Sequence, residues 1–497
     1  MGVVENGFHV IIQRKKRVAP ALPMQDHWLP FSNLDLLLPP VDFSVFFCYR
    51  NSKQQGPSMM TTILDTLKKS LAQVLVAYYP LAGEVVMNLA GEPELACNNR
   101  GVNFIEAYSD VHLSQLHLHD PHICIENRLV PKKNDGVLCV QVTELKCGGL
   151  VVACTFDHRV ADAYSANMFL MAWAETAAAI LTKRELPLVV PCLRRSLLSP
   201  RRPGHYDAAS YDSLYASLPP QPKGGGEGAA TAKHEVDGPI NRLYYITAEN
   251  MELLQLRASS TGNKRSKMEA FSAFLWQILA RSGSSSSSSS SSVVVGDEII
   301  TTERCKLGVV VDGRSRLQQQ QDDDPSSSSI MKAYFGNVLS IPYGEATAEE
   351  MGRMSLMEAA NAVHEILSIG TSREHFRGLI DWVETRRPQQ FVARVYTEDP
   401  GSTAVVVSSG RGFPIKKVDF GWGKPVFGSY HFPWGGYSGY VMPMPSISRD
   451  GDWVVYIHMS RRYLQFIDAD PEASHFFRPL SPDYLGLLLP HDDDPSV

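Results

Sequence analysis

The sequence is short of the features that mark secreted, membrane-spanning or nucleic-acid-binding proteins. Cysteine is scarce, with eight in 497 residues: Cys48, Cys97, Cys124, Cys139, Cys147, Cys154, Cys192 and Cys305. None forms a C-x-x-C pair, and the density is low for a disulfide framework. Reduced, mostly buried thiols in a cytoplasmic protein are expected. Positive charge is not in excess: 47 Lys and Arg stand against 53 Asp and Glu, a net charge of −6. Nothing is left over to neutralise a run of phosphates, so nucleic acid is not an expected partner. Long apolar runs are missing too. The most apolar helical stretch, Ala166 to Leu181, is interrupted by Asn167 and Glu175 and predicts no membrane span. Met1 to Asn6 has no apolar signal core. Asn6 stands where a myristoylation signal wants Ser or Thr, and no C-terminal prenyl signal is expected. There is no G-x-S-x-G elbow and no phosphate-binding G-x-x-x-x-G-K-[ST] loop, and His364-Glu365 lacks the second His of a zinc protease.

What is present reads as an ordinary globular chain, 44% hydrophobic and 20% charged. Its length is too great for one core, so two domains of roughly 200 residues are expected. Leu64, Leu67, Leu71, Val74, Leu75 and Tyr78 predict an amphipathic helix from Thr62 to Tyr78, started by Thr62-x-x-Asp65 and stopped by Pro80. Val137 to Cys147 and Leu150 to Phe156 read as strands flanking Gly148-Gly149, and a helix follows from about Ala163 to Thr182. From Arg201 to Gly238 the chain turns rich in Pro, Gly and Ser, including Gly224-Gly225-Gly226, as a crossover between domains does. Strand pattern resumes at Asn241 to Tyr245. Ser266-x-x-Glu269 is a capping box opening a helix with Phe271, Phe274, Leu275, Ile278 and Leu279 inward.

Further on, Lys306 to Val311 reads as a strand, and Thr347-x-x-Glu350 opens a helix running to about Ile369. Ala404 to Ser409, Gly439 to Met442 and Trp453 to Met459 read as strands. The organisation expected is an N-terminal domain over 1–200, a flexible crossover over 201–240 and a C-terminal domain over 241–497. Disordered loops are expected near 282–295 and 318–329, where polar runs cannot bury apolar surface. Helix and strand patterns mix in both halves, so the fold class is α/β (α+β).

Two segments can carry chemistry. In Thr155-Phe156-Asp157-His158-Arg159-Val160-Ala161-Asp162 an apolar strand delivers a histidine just before a helix. An imidazole held there is suited to removing a proton near neutral pH. Asp162, four residues on, can orient it or form a structural ion pair, and the bland alternative is a His bordering the helix. In Asp419-Phe420-Gly421-Trp422-Gly423-Lys424-Pro425 two glycines and a proline frame an aromatic, which reads as a packed turn. The segment His112, His117, His119, Asp120, His122 offers metal-type ligands. Leu116 and Leu118 alternate with them as in a half-buried strand, so no metal is expected. Cys154, on the strand before His158, is expected to pack and not to attack.

Together H-x-x-x-D near residue 160 and D-F-G-W-G near residue 420 resemble the plant acyl-CoA-dependent acyltransferases called the BAHD family. Ser32 with Leu34-Asp35, Tyr79 to Gly83, Cys147-Gly148-Gly149, Asp312-Gly313-Arg314-Ser315-Arg316 and Tyr334-Phe335-Gly336-Asn337-Val338 fall in the same order. The likeness spans the chain outside its low-complexity loops. Gln25 to Pro30, Leu34 to Pro40 and Cys154 to Phe169 resemble the members that acylate coniferyl alcohol.

The resemblance implies two chloramphenicol-acetyltransferase-like domains with a channel between them, where acyl-CoA enters from one face and the acceptor from the other. It implies acyl-CoA, acetyl-CoA above all, as cosubstrate with no bound cofactor, and an alcohol such as coniferyl alcohol as acceptor. Hydroxycinnamoyl transfer to a hydroxyl or an amine is the alternative, and a non-catalytic binding role a third. His158 would be the general base of a transfer without covalent intermediate. Asp162 would brace the site by pairing with Arg314, with Arg316 as the alternative, and Asp419, Gly421, Trp422 and Gly423 would support it. Lys264, Arg265, Ser266 and Lys267, at a helix start that favours anions, together with Ser408 and Ser409, would meet CoA. Family members that transfer hydroxycinnamoyl groups often carry Trp where Gly410 follows Ser408-Ser409 here, so an indole near the thioester is missing. A monomer is expected, with small molecules as its partners.

Overall fold

Two large sheets organise the chain in the computed structural model, which describes residues 8–50, 57–185, 190–218, 238–284, 292–295, 298–301, 304–318, 330–397, 402–436 and 438–488. The first has six strands in the order Val10–Val18, Val102–Ser109, Leu138–Leu145, Leu150–Asp157, Asp42–Tyr49, Phe427–His431. The second has seven: Tyr343–Thr347, Arg304–Val309, Ser402–Val407, Gly439–Pro445, Trp453–Ser460, Pro239–Ile246, Arg478–Pro479. Five strands of the first sheet precede residue 201. The sixth, Phe427–His431, arrives from the far half of the chain and pairs antiparallel with Asp42–Tyr49. The fold class is α/β with two sheets, as the mixed patterns implied.

The expected hairpin is Leu138–Leu145 with Leu150–Asp157, turned by Gly148 at φ 76°, a left-handed conformation that glycine adopts without strain. Both strands are buried almost throughout, as continuous apolar runs require. Against this sheet packs the helix Pro57–Ala77, with Leu67, Leu71, Val74 and Leu75 fully buried. It begins five residues before Thr62, because Pro57 is compatible with a first helical turn. Asp65 therefore sits inside the helix and pairs with Lys68 instead of marking its start. The second predicted helix is Ala163–Thr182, with Phe169, Trp173 and Ala177 in the core.

Other expectations shift. The helix from Thr347 is two: Ala348–Arg353 and Leu356–Gly370. Ser355 and Glu358 form a second capping box, so the side chain takes over the backbone bonds a continuous helix would make. The histidine segment is not a strand. It holds the 3-10 turn Leu113–Gln115 and the short helix Pro121–Cys124, so His117 and His119 share no strand face. The first part of the crossover is ordered: Ala208–Leu214 is helical, Tyr215–Ser217 pairs with Phe391–Ala393, and Arg201 bonds Asp381. Its last residues open the strand Pro239–Ile246, and the loop expected near 282–295 is bounded by the helix Lys267–Ser284 and the strand Ser292–Val295, which pairs with Glu298–Thr301. The middle of the crossover, the rest of the two polar loops and both chain ends, with the leader and lipidation readings made on them, lie outside the described residues. Among the described residues no helix is long and apolar enough to cross a membrane.

Candidate active site

His158 stands where the buried strand Leu150–Asp157 ends, and the turn that follows it is fixed by its neighbours. The Asp157 carboxylate accepts from the backbone N, Nε and Nη2 of Arg159 at 3.0, 2.9 and 2.6 Å. The His158 amide donates to the Val41 carbonyl at 3.0 Å. The ring rests between Phe43 and Phe432, with centroids 4.9 and 5.8 Å away. Burial lowers its pKa from the usual 6.5, so the imidazole is neutral and able to accept a proton at neutral pH.

Asp162 caps the helix Ala163–Thr182, its Oδ1 accepting from the Ser165 amide at 2.9 Å. Both its oxygens also face Arg314: Nη1 donates to Oδ2 at 2.8 Å and Nη2 to Oδ1 at 3.0 Å. The fork is bidentate and fully buried. Arg314 donates further to the carbonyls of Tyr334 and Gly336 and to Ser165 Oγ. Arg314 and not Arg316, which is exposed, is the partner of Asp162. Arg314 Nη1 also donates to the partly exposed Asp312 Oδ1 at 3.1 Å. A buried pair this well satisfied ties the two halves of the chain together, and removing Asp162 leaves Arg314 with Asp312 alone.

The turn Asp419 to Gly423 lies at the other end of the same helix. Asp419 Oδ1 accepts from the amides of Gly421 and Gly423 at 2.8 and 3.0 Å. Those glycines sit at φ 106° and 118°. A Cβ on Gly421 would meet Leu181 Cδ1 at 2.8 Å and Ala178 Cα at 3.2 Å. Phe420 packs edge-on against Trp173 at 4.9 Å and stacks on Trp422 at 5.3 Å. The turn touches no atom of the cavity beside His158. It pins the helix that Asp162 caps and launches the strand Phe427–His431 into the first sheet, bringing Tyr430 to the cavity wall.

That cavity has a volume of about 290 Å³, and His158, Tyr164, Tyr396, Tyr430, Phe432 and Trp434 are among its lining residues. Apolar and aromatic lining with few polar groups is the usual make-up of a small-molecule site. Leu38, Val41 and Ile341 add apolar wall, and Asn167, Asp312, Ser408 and Ser409 the polar points. Asn167 is held by Tyr430, whose hydroxyl donates to its Oδ1 at 2.7 Å. Asp312, on the wall, has its pKa raised by burial against the pull of Arg314. Cys154 is fully buried within the strand Leu150–Asp157, and burial pushes its thiol well up, which fits packing and not attack.

Gly410 lines the same cavity, but its Cβ direction does not point to empty space. A Cβ there would meet Met444 Cγ at 2.6 Å, the Pro443 carbonyl oxygen at 2.7 Å and Met442 Cγ at 3.0 Å. The strand Gly439–Pro445 has closed over the position where an indole was noted as missing. The basic corner is apart from the cavity lining. Ser266 and Glu269 form the expected capping box, with bonds of 2.7 and 3.2 Å. Lys264 is exposed, and Lys267 faces Glu252 at 3.8 Å. Arg265 is buried, its guanidinium bonded to Asn361 Oδ1 at 3.0 and 2.7 Å. It supports the corner from inside.

Sequence reasoning gave no role to Asp35, Asn337, Asn167 or Tyr430. The first two stand in the segments Leu34-Asp35 and Tyr334 to Val338, which were a signal without a chemistry. Asn167 and Tyr430 carried none.

Comparison with known proteins shows what the whole chain is similar to. The family described as "Transferase family" matches residues 8–474. A hydroxycinnamoyltransferase of Narcissus pseudonarcissus is 27% identical, over 91% of this chain and 97% of its own length. A (Z)-3-hexen-1-ol acetyltransferase of Arabidopsis thaliana is 27% identical, over 85% of this chain and 84% of its own. Among solved structures, TRI101 of F. sporotrichioides, complexed with coenzyme A and T-2, superposes with a TM-score of 0.70 at 16% identity, covering 91% of this chain and 99% of that one. The chain belongs to this family, the acyl-CoA-dependent acyltransferases whose two motifs it carries.

Proposed function

We propose that the chain transfers an acyl group, acetyl first, from acyl-CoA to the hydroxyl of a phenylpropanoid alcohol such as coniferyl alcohol. The observation that carries this reading is His158, neutral by burial, on the wall of an apolar and aromatic cavity. Its Nε2 takes the acceptor's O–H proton as that oxygen attacks the thioester carbonyl. A C–O bond forms and the carbonyl becomes a tetrahedral oxyanion. The C–S bond then breaks, and the CoA thiolate leaves with the proton that the imidazolium returns. No bond to the enzyme is made, and a base so placed contributes about 10²–10⁴-fold.

Tyr396, Tyr430, Phe432 and Trp434 suit a phenyl ring better than a charged acceptor, which supports an aromatic alcohol. Lys264, Ser266 and Lys267 are assigned to the CoA phosphates, at the start of the helix Lys267–Ser284, with Ser408 and Ser409 along the thioester arm. Asp162, Arg314 and the Asp419 to Gly423 turn act as braces. Acetyl is preferred as donor because no indole stands at position 410. The hydroxycinnamoyltransferase among the relatives favours a second reading, transfer of a hydroxycinnamoyl group to a hydroxyl or an amine. The test is a matrix of acetyl-CoA and coumaroyl-CoA against coniferyl alcohol, shikimate and spermidine. Turnover is expected with acetyl-CoA and coniferyl alcohol. Turnover only with spermidine, or only with coumaroyl-CoA, would replace this reading.

A further inference from the structure

A neutral imidazole can act as a base through Nε2 only if its proton sits on Nδ1, and which nitrogen holds the proton is set by what the other nitrogen meets. His158 Nδ1 is buried with no hydrogen-bond partner among the described residues. One other buried atom nearby is orphaned in the complementary sense, Asn337 Oδ1. The amide of Asn337 has its orientation fixed by chemistry. Nδ2 faces three acceptors: Asp35 Oδ1 at 2.9 Å and the carbonyl oxygens of His158 and Arg159, each at 3.0 Å. No acceptor oxygen can take that place, so Oδ1 is the atom left over. A ring nitrogen without a partner and an acceptor without a donor thus belong to two residues already joined by a hydrogen bond.

Asn337 is itself held hard. It is fully buried, and its backbone amide donates to the same Asp35 Oδ1 at 2.8 Å. The other Asp35 oxygen accepts from the Ser32 amide at 2.9 Å and the Ser32 hydroxyl at 2.7 Å. Arg195 Nε lies 3.9 Å from it. The asparagine comes from the far half of the chain and the aspartate from the first forty residues, and they meet behind the strand end that carries His158.

We propose that Asn337 is a positioning residue for His158. Its Oδ1 keeps the ring proton on Nδ1 and leaves Nε2 bare toward the cavity, and Asp35 holds the amide in place. The inference rests on the reading of His158 as the base. Against burial, the protonated imidazole is favoured by the His158 backbone, then by Asp162 and Asp157, and then by the Asn337 side chain, so Asn337 acts in the direction this role requires beside those larger contributions. Asn337 touches no substrate in this account.

The experiment is ¹⁵N spectroscopy of the histidine rings in the full-length protein, with the His158 signals identified by their loss in His158→Ala. It is read beside the kinetics of Asn337→Ala. The wild type is expected to show the Nδ1–H tautomer at His158. Asn337→Ala is expected to give a mixture of tautomers and a kcat about 10- to 100-fold lower, with KM for both substrates within about twofold. An Nε2–H tautomer in the wild type overturns the proposal whether or not the variant folds. So does an Asn337→Ala enzyme with unchanged kcat and tautomer. Near wild-type turnover by His158→Ala is a different failure: it removes the base reading itself, and this inference with it.

Discussion

Burial lowers the pKa of His158, and it does the same to His375, His431 and His458, of which the last two lie on strands of the two sheets. His431 ends the strand Phe427–His431 in the first sheet, and His458 lies on Trp453–Ser460 in the second. Both are brought down to about 4 by burial. His458 Nδ1 meets Asn241 Oδ1 at 2.9 Å, while its Nε2 and both nitrogens of His431 find no hydrogen-bond partner among the described residues. Glu126 lies 3.9 Å from His431. Neither histidine lines the cavity. His158 shares their desolvation and differs in access, since its ring forms part of the cavity wall between two phenylalanines. A lowered pKa therefore does not identify the base. A nitrogen that a substrate can reach does, together with an environment that keeps the ring neutral.

The contrast can be broken most sharply by exchanging chemistry for shape at each place. His158→Ala is expected to lower turnover about 10²–10⁴-fold with the thermal midpoint little changed. His431→Phe, which removes two orphaned polar atoms, is expected to keep near wild-type turnover. Steady-state assays on both, beside circular dichroism, check this. Next in size is the brace. Asp162→Ala leaves the buried Arg314 with only the partly exposed Asp312 carboxylate, 3.1 Å away, and is expected to cost about 3 kcal/mol, read by urea unfolding, with activity lost through the fold. Gly410→Trp is expected to destabilise by about 1–3 kcal/mol and to confer no use of coumaroyl-CoA, because its side chain runs into Met442 and Met444. A folded Gly410→Trp enzyme that gains coumaroyl transfer would show that the methionines yield and that the glycine does set the donor.

A further effect is linkage at the interior pair. For His431 and His458 the folded pKa of about 4 lies below the unfolded value of 6.5. The unfolded chain then binds protons first as pH falls. Their contribution is fully present above pH 6.5 and is lost as pH falls through about 4. The urea midpoint should drop between pH 7 and 4, and less steeply in His431→Phe.

Much of this was legible in the sequence, for reasons that differ from residue to residue. The strand before His158 and the helix after it were readable because an apolar run and a 3.6-residue pattern meet at one point. The capping box at Ser266 and Glu269 was readable because its chemistry is local. The Thr347 helix ran too long because Ser355-x-x-Glu358 was passed over, although it carries the same signal. The start of the Pro57–Ala77 helix was missed because Thr62 and Asp65 imitate a cap. What spacing alone could not give was meeting across distance. Arg314 was the preferred partner for Asp162 with Arg316 as the alternative, and only the fold, burying the first and exposing the second, decides between them. The D-F-G-W-G turn read as a packed turn, but nothing local said that it packs on the helix that Asp162 caps. Gly410 read as an absence, and only the neighbouring strand shows that its Cβ direction is already filled by Met442 and Met444. Asp35 and Asn337 are separated by 302 positions, beyond the reach of any periodicity.

The most direct test of the account is the pH dependence of kcat/KM for the wild type and His158→Ala, measured side by side with the donor and acceptor that the substrate matrix selects. The wild-type rate is predicted to rise through one group with a pKa below 6.5 and to level off by pH 7, as the imidazole loses its proton. His158→Ala is predicted to be low and to lack that limb. A limb that survives the substitution would belong to another group, such as Asp42, which burial raises to about 6. That result would contradict His158 as the base.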